Sequence, residues 1–291
     1  FVGLGYHHYV ATVLRPLMKP LFGLRGAAAG ALVLGAAGGY PIGASTVFRL
    51  YDRGELNAAQ ASRALAFCNN AGPGFLLGVV GLSLLGSVRL GLLVWGIHLL
   101  SALLVGVFFY RPSDGILSIR SVSQEKTVPS FPTAFVEAVT DGAGTMIRVC
   151  GFLVFFSVVL AFLQETPLWQ WAAAISPIGT ALLDGAVELS TGVGRLIAAG
   201  CPTEEALMAG SFLLGWGGLC VHCQVLSLRG RREISMAPYW IGKLLQGLLS
   251  AVLIRLAAAP SPAAFAAAAA LIVPGLLFRK VHTGKRALSG V

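Results

Sequence analysis

The sequence predicts an all-α polytopic membrane protein built as an inverted repeat, each half pairing a re-entrant hairpin with a discontinuous transmembrane helix. Three observations predict it: a lipid-compatible composition, apolar runs broken by Gly, Pro and Asn, and an alternation of basic and cation-free connections. Of 291 residues, 56% are hydrophobic and only 11% are charged, and the mean hydropathy is +0.79. A soluble domain of this length does not need so much apolar surface. The formal net charge is +9, yet the basic residues gather in short segments between apolar runs, and no basic face interleaved with aromatics argues for nucleic acid. Five cysteines, Cys68, Cys150, Cys201, Cys220 and Cys223, are an odd number in mostly apolar surroundings and read as small packing residues.

The elements follow in order. The opening stretch "FVGLGYHHYVATVLRPLMKPLF" lacks the pattern of a cleavable signal and reads as the tail of a longer segment. Segment 26–50 breaks at Gly38-Gly39-Tyr40-Pro41. Arg15, Lys19 and Arg25 precede it and Arg49 and Arg53 follow it, so both ends are assigned to the cytoplasmic side and the segment is a re-entrant hairpin. Segment 57–87 breaks at Asn69-Asn70-Ala71-Gly72-Pro73-Gly74 and crosses outward. Segment 88–110 meets the length of about 20 apolar residues that a spanning helix needs and returns to a connection with Arg111, Arg120 and Lys126. Segment 145–163 leads out to the cation-free "QETPLWQ" around Glu165. Segment 168–200, with Ser176-Pro177 and Glu188-Leu189-Ser190-Thr191-Gly192, has both ends outside and is the second hairpin. Segment 203–228 breaks at Gly215-Trp216-Gly217-Gly218 and crosses inward to Arg229, Arg231 and Arg232. Plain spans at 237–258 and 262–278 lead to the basic tail of Arg279, Lys280, Lys285 and Arg286.

Broken helices are tolerated at membrane depth only where backbone is buried in protein or faces a cavity, because lipid offers free N–H and C=O groups no partner. The four breaks therefore predict one lined cavity. Setting Gly54-Glu55-Leu56-Asn57 against Gly200-Cys201-Pro202-Thr203 puts the helix-capping Asn57 on Thr203, Asn69 on Gly215 and Gly72 on Gly218. The chain is thus divided into a first repeat with its following helix and loop (1–131), a second, inverted repeat (132–236), and a C-terminal helix pair with a basic tail (237–291). Inverted repeats with broken helices are an architecture of secondary transporters, whose substrates sit near the midplane.

The breaks supply the candidate binding residues. Tyr40, Ser45 and Thr46 are expected to line the cavity floor beside a helix restarting near Pro41. Asn69 and Asn70 are amide ligands, or else serve a tight turn or interhelical hydrogen bonding. Glu188, Ser190 and Thr191 occupy the second hairpin's tip. An ionisable group at that depth costs about 2.5–3.5 kcal/mol or more, so Glu188 either binds a proton or sodium ion or pairs with Arg195. Asp184 lies one turn earlier. His222 and Gln224 offer hydrogen bonds to a substrate, with His222 otherwise a satisfied core histidine. Cys220, His222 and Cys223 lack the second pair that closes a tetrahedral metal site. Neither metal nor cofactor is expected. Glu137, Asp141 and Arg148 form one helical stripe, read as a structural seam, and His98 has no evident partner. No nucleophile elbow, Walker loop, dinucleotide fingerprint or His-Glu-x-x-His appears, so no enzyme is expected.

The motifs "GGYPIGA", "AFCNNAGPGFLLG", "VELSTGVGRL" and "SFLLGWGGLCVHCQVLS" resemble those of the sporulation integral membrane protein YlbJ family, also called SpoVV, which carries the nucleoside-recognition Gate domain. The resemblance runs from about Leu14 to Lys280. It implies a transporter of endospore formers that moves dipicolinic acid across the outer forespore membrane during sporulation. More distantly, it implies a likeness to concentrative nucleoside transporters, with each repeat a Gate-type unit. It places Gly39 to Ser45, Asn69 and Asn70, Glu188 to Gly192, and His222 to Gln224 in the binding region. A planar ring with two carboxylates suits hairpin N-termini and neutral donors, and it leaves Glu188 needing a proton or a cation. The cysteines of "FCNN" and "LCVHCQ" stand where small or hydroxyl residues are expected, and the first transmembrane helix that the resemblance implies is missing or reduced to the residues before Leu14. The partners implied are an anionic small molecule, the lipid bilayer, a coupling proton or sodium ion, and room for a homo-oligomer. A nucleoside or other metabolite carrier, or a non-transporting structural protein of the spore membrane, are the alternatives.

Overall fold

Interrupted apolar runs become pairs of short helices. The computed structural model describes residues 7–112, 130–199 and 204–273, and every regular element in them is helical. In chain order these are α1 (His7–Leu17), followed by a π-helical turn Met18–Phe22, α2 (Ala28–Gly38), α3 (Ile42–Asp52), α4 (Ala58–Cys68), a π-helical segment Phe75–Leu84, and α5 (Val88–Phe108). There follow α6 (Phe131–Gln164), α7 (Pro167–Ile175), α8 (Pro177–Val187), α9 (Leu189–Ala198), α10 (Glu204–Trp216), α11 (Gly218–Arg229), α12 (Ala237–Ala258) and α13 (Pro262–Val273). Four helical stretches are long and apolar enough to cross a membrane: Val88–Phe108, Phe131–Gln164, Glu204–Arg229 and Ala237–Ala258.

Local chemistry explains the ends. Asn57 caps α4 as expected: its Oδ1 accepts from the Gln60 amide at 2.8 Å while the Gln60 side chain accepts from the Asn57 amide at 3.2 Å. Ser87 and Ser176 cap α5 and α8 through their hydroxyls. The span read at 145–163 lies within a helix of 34 residues, about 50 Å long and well beyond a hydrocarbon core of about 30 Å. The stripe at its start is tied down by an ion pair from Arg49 to Asp141 at 3.0 Å. The span read at 262–278 is described only as far as Val273. The basic tail, Arg120, Lys126 and the Gly200–Thr203 stretch used in the internal alignment lie outside the described residues.

Both candidate hairpins double back. The arms α2 and α3 have 11 residues each, about 16 Å, too short to cross alone. A Cβ on Gly35 would lie 3.0 Å from the Gly43 Cα, and one on Gly192 would lie 2.3 Å from the Gly185 Cα. Helical residues seven or eight apart on one straight rod cannot approach so closely. Each hairpin tip meets the break of the helix that follows it: Gly39 faces the Gly72 amide, and Gly218 faces the Gly185 carbonyl and the Leu189 amide. The second arms cross over, α3 touching α11 and α9 touching the Phe75–Leu84 segment. Helix α12 packs on α4, α5 and α10, so it contributes to the two larger of three bodies of buried apolar side chains, through Leu249 in one and Ile254 in the other.

Ion pairs join ends that the charge pattern assigns to one side. Arg232 holds Asp52 at 2.6 Å, linking the ends of α3 and α11. Hydrogen bonding to that carboxylate raises the guanidinium's pKa. On the other assigned side, Arg255 pairs with Glu204.

The glycine contacts predict a contrast. A Cβ on Gly43 would sit 1.8 Å from the Cys68 carbonyl oxygen, whereas one on Gly78 meets nothing within 4 Å. Gly43→Ala should lower stability by about 1–3 kcal/mol or more, read as a lower thermal midpoint in detergent, and Gly78→Ala should leave that midpoint unchanged.

Candidate functional site

The first break builds a buried polar knot. Asn69 and Asn70 follow the end of α4, and the extended backbone at Asn69 frees carbonyls from the helix ladder. The Asn69 carbonyl accepts from Lys243 Nζ of α12 at 2.9 Å, and the same ammonium donates to Gln246 Oε1 at 2.7 Å. Gln246 Nε2 donates to Asn70 Oδ1 at 2.8 Å and to the His98 carbonyl at 3.3 Å. The Asn70 amide donates to the Phe67 carbonyl at 2.9 Å. His98 Nε2 accepts the Ala71 amide at 3.1 Å, so a neutral His98 carries its proton on Nδ1. Asn69, Asn70, His98, His222, Lys243 and Gln246 are each at most 1% exposed.

Tyr40 and His222 complete the knot from the other breaks. The Tyr40 hydroxyl donates to the Leu214 carbonyl at 2.5 Å, bridging the first hairpin to the end of α10, and Lys243 Nζ lies 5.1 Å from the Tyr40 ring centroid. His222 Nδ1 is 2.9 Å from the Tyr239 hydroxyl. Around the imidazole stand Trp216, Tyr239 and Trp240, at centroid distances of 4.4, 5.3 and 4.5 Å. Tyr239 in turn neighbours Asn69.

The second hairpin supplies a separate acidic pair. Glu188, 3% exposed, stands in extended conformation between α8 and α9 and caps α9. Its carboxylate accepts from the Ser190 amide at 2.9 Å, the Thr191 amide at 2.8 Å and the Thr191 hydroxyl at 2.8 Å. It does not pair with Arg195, whose guanidinium goes to Asp184 instead. Asp184 also accepts from Trp169 Nε1 at 2.9 Å and Gln164 Nε2 at 3.3 Å. The N-terminal amides of α9 are thereby occupied by the protein's own carboxylate, and the Ala44 amide in the first turn of α3 is met at 3.4 Å by Asn69 Oδ1.

Of the ten residues singled out in the sequence, Tyr40, Asn69, Asn70 and His222 come together. Glu188 and Thr191 meet in the hairpin cap. Ser45 lines a recess of about 230 Å³ with Arg49, Asp141, Arg148 and Arg232, away from the knot. Thr46 bonds back to the Ile42 carbonyl of its own helix at 2.9 Å, Gln224 reaches the Cys220 sulfur at 3.4 Å, and the Ser190 side chain is exposed. In place of the open cavity expected at the breaks, the four that converge close upon one another. Sequence reasoning missed Lys243, Gln246 and Tyr239, and it left His98 without partners. The signal was present: a lysine and a glutamine inside an apolar span. Among the described residues, no group of three His, Cys, Asp or Glu side chains is placed to hold a metal.

Broken helices packed around a buried amide, histidine and lysine cluster, within a chain of apolar spanning helices, define an integral membrane protein with a polar interior. The chain is 28% identical, over 287 aligned positions covering 88% of it and 70% of the relative, to the sporulation integral membrane protein YlbJ of Bacillus subtilis (strain 168). The similarity to that sporulation integral membrane protein runs over most of the chain. No family profile matches the chain, and no solved structure does.

The Asp184 cluster predicts a stability effect separable from the knot. Asp184→Asn keeps the shape but removes the charge that holds Arg195 and Trp169, so the midpoint of thermal unfolding should fall, by about 1–3 kcal/mol in stability. Arg195→Gln should cost at least as much, because it leaves the fully buried Asp184 carboxylate without its counter-charge.

Proposed function

We propose that the chain is a carrier rather than an enzyme: a secondary transporter or facilitator, built as an inverted repeat, that moves dipicolinic acid across the outer forespore membrane during sporulation. The observation that carries this reading is the convergence of residues from three separate breaks on α12: Tyr40 and Asn69 on Lys243, Asn70 on Gln246 and His222 on Tyr239. The crossed contacts of the two hairpins, each tip on the break of its following helix and each second arm on the other half, support a two-fold arrangement. In this reading residues 1–131 and 132–236 are the two Gate-type repeats, and the C-terminal α12 is the post between them. The knot is closed from water, so it represents an occluded arrangement, and tilting one repeat against the other opens it to each side in turn.

Two features suit an aromatic dicarboxylate. A lysine amine stands beside the first break, and aromatic rings wall the imidazole of the second. A neutral nucleoside gains less from an ammonium in the site.

Uptake of labelled dipicolinate into proteoliposomes, under imposed proton and sodium gradients, tests the proposal. Saturable uptake by the intact chain is expected, and Asn70→Ala should lower it at least about tenfold without changing the yield of folded protein. Uptake of uridine that dipicolinate does not compete would favour the nucleoside reading, and the absence of any uptake under any gradient would overturn the carrier.

A further inference from the structure

We infer that Lys243 and the Asn69 amide form a carboxylate-binding subsite, with His222 and its aromatic neighbours as the wall for the attached ring, and that the substrate itself is the counter-ion of Lys243. The inference rests on the carrier reading and deepens it by naming the group that the site recognises.

An ammonium carries three donors and no acceptor. Lys243 spends two of them on neutral oxygens, those of Asn69 and Gln246, and lies inside a membrane-spanning helix with no exposed surface. The ion pairs Arg49–Asp141, Arg195–Asp184, Arg232–Asp52 and Arg255–Glu204 do not involve Lys243. The two buried acids are already committed. Asp184 is bonded to Arg195, Trp169 and Gln164, and Glu188 to the first turn of α9. A buried charge without an opposite charge is costly in lipid, and such groups occur where they pair with one another or mark a substrate path. No acid of the described chain is in place to pair with it.

The neighbours are short of acceptors too. Asn69 Nδ2, His98 Nδ1 and His222 Nε2 are all buried without a hydrogen-bond partner. Asn69 Nδ2 is a donor, because Oδ1 of the same amide takes the Ala44 amide, and His98 Nδ1 is the protonated nitrogen by the argument above. A carboxylate is acceptor-only and brings the missing negative charge, so it answers both deficits at once. The rings of Trp216, Tyr239 and Trp240 about His222, with Tyr40 over the ammonium, favour a flat aromatic body behind that carboxylate. The ligand class is therefore an aromatic carboxylate, and one carboxylate beside the ring is the minimum that the subsite reads.

The test is calorimetric titration of the purified chain in detergent with dipicolinate, with picolinate as the one-carboxylate probe and uridine as the uncharged one. Binding of both acids is expected. Lys243→Gln should weaken it at least about tenfold, the loss of one charge-assisted hydrogen bond. Because Lys243→Gln can fail to fold, Asn69→Asp is the second variant. It replaces the Nδ2 donor with an acceptor-only oxygen and puts a negative charge in the subsite, so a protein that still folds should bind the acids at least about tenfold more weakly. Acid binding unchanged in a folded Asn69→Asp protein overturns the subsite, and if dipicolinate uptake persists there, the carrier reading survives without it. Binding of uridine but of neither acid also overturns the subsite and leaves a carrier of another substrate.

Discussion

A lysine with no exposed surface, set in the middle of a lipid-spanning helix and hydrogen-bonded to the carbonyl that a broken helix releases, is the constraint on which the arrangement of the rest depends. Unwinding after Cys68 leaves the Asn69 carbonyl without its helical donor, and Lys243 replaces that donor. The same residue holds Gln246, which holds Asn70 and His98, so one side chain fixes the relation of α4, α5 and α12. Removing it would strand several polar atoms at once in a region that water does not reach.

The breaks are kept close by the absence of side chains. Gly35 and Gly43 are pressed to the Cys68 carbonyl, Gly39 to Gly72, and Gly218 to the tip of the second hairpin. Gly217 and Gly218 also take positive φ values, of 90° and 81°, a backbone region where larger residues are strained. Such contacts put unwound backbone against unwound backbone, which is how a membrane chain shelters polar groups that lipid cannot solvate. Polar interior and glycine-lined hairpins are therefore two sides of one solution.

The parts of the molecule differ in how plainly the sequence announces them. Composition alone reveals the solvent, and Gly-Gly-Tyr-Pro, Asn-Asn-Ala-Gly-Pro and Trp-Gly-Gly mark the interruptions because Gly and Pro act locally on the backbone. The Asn57 cap is legible for the same reason. Partnerships are not. Asp184 meets Trp169, Gln164 and Arg195 only once α6, α7 and α9 have packed around α8, and a reading by proximity in sequence assigns Arg195 to Glu188 instead. Lys243 and Gln246 sit three residues apart in "IGKLLQGLL", within an otherwise apolar run, and average hydropathy hides them. The rule that an ionisable group in a span needs a partner identifies Lys243 even where the average does not.

The most direct measurement of the central claim is an experimentally determined structure of the chain with dipicolinate bound. The account predicts ligand density within hydrogen-bond distance of Lys243 Nζ and the Asn69 side-chain amide, with the ring against the His222 aromatic group. Density at another site, with Lys243 still bonded only to Asn69 and Gln246 in a closed interior, would contradict it.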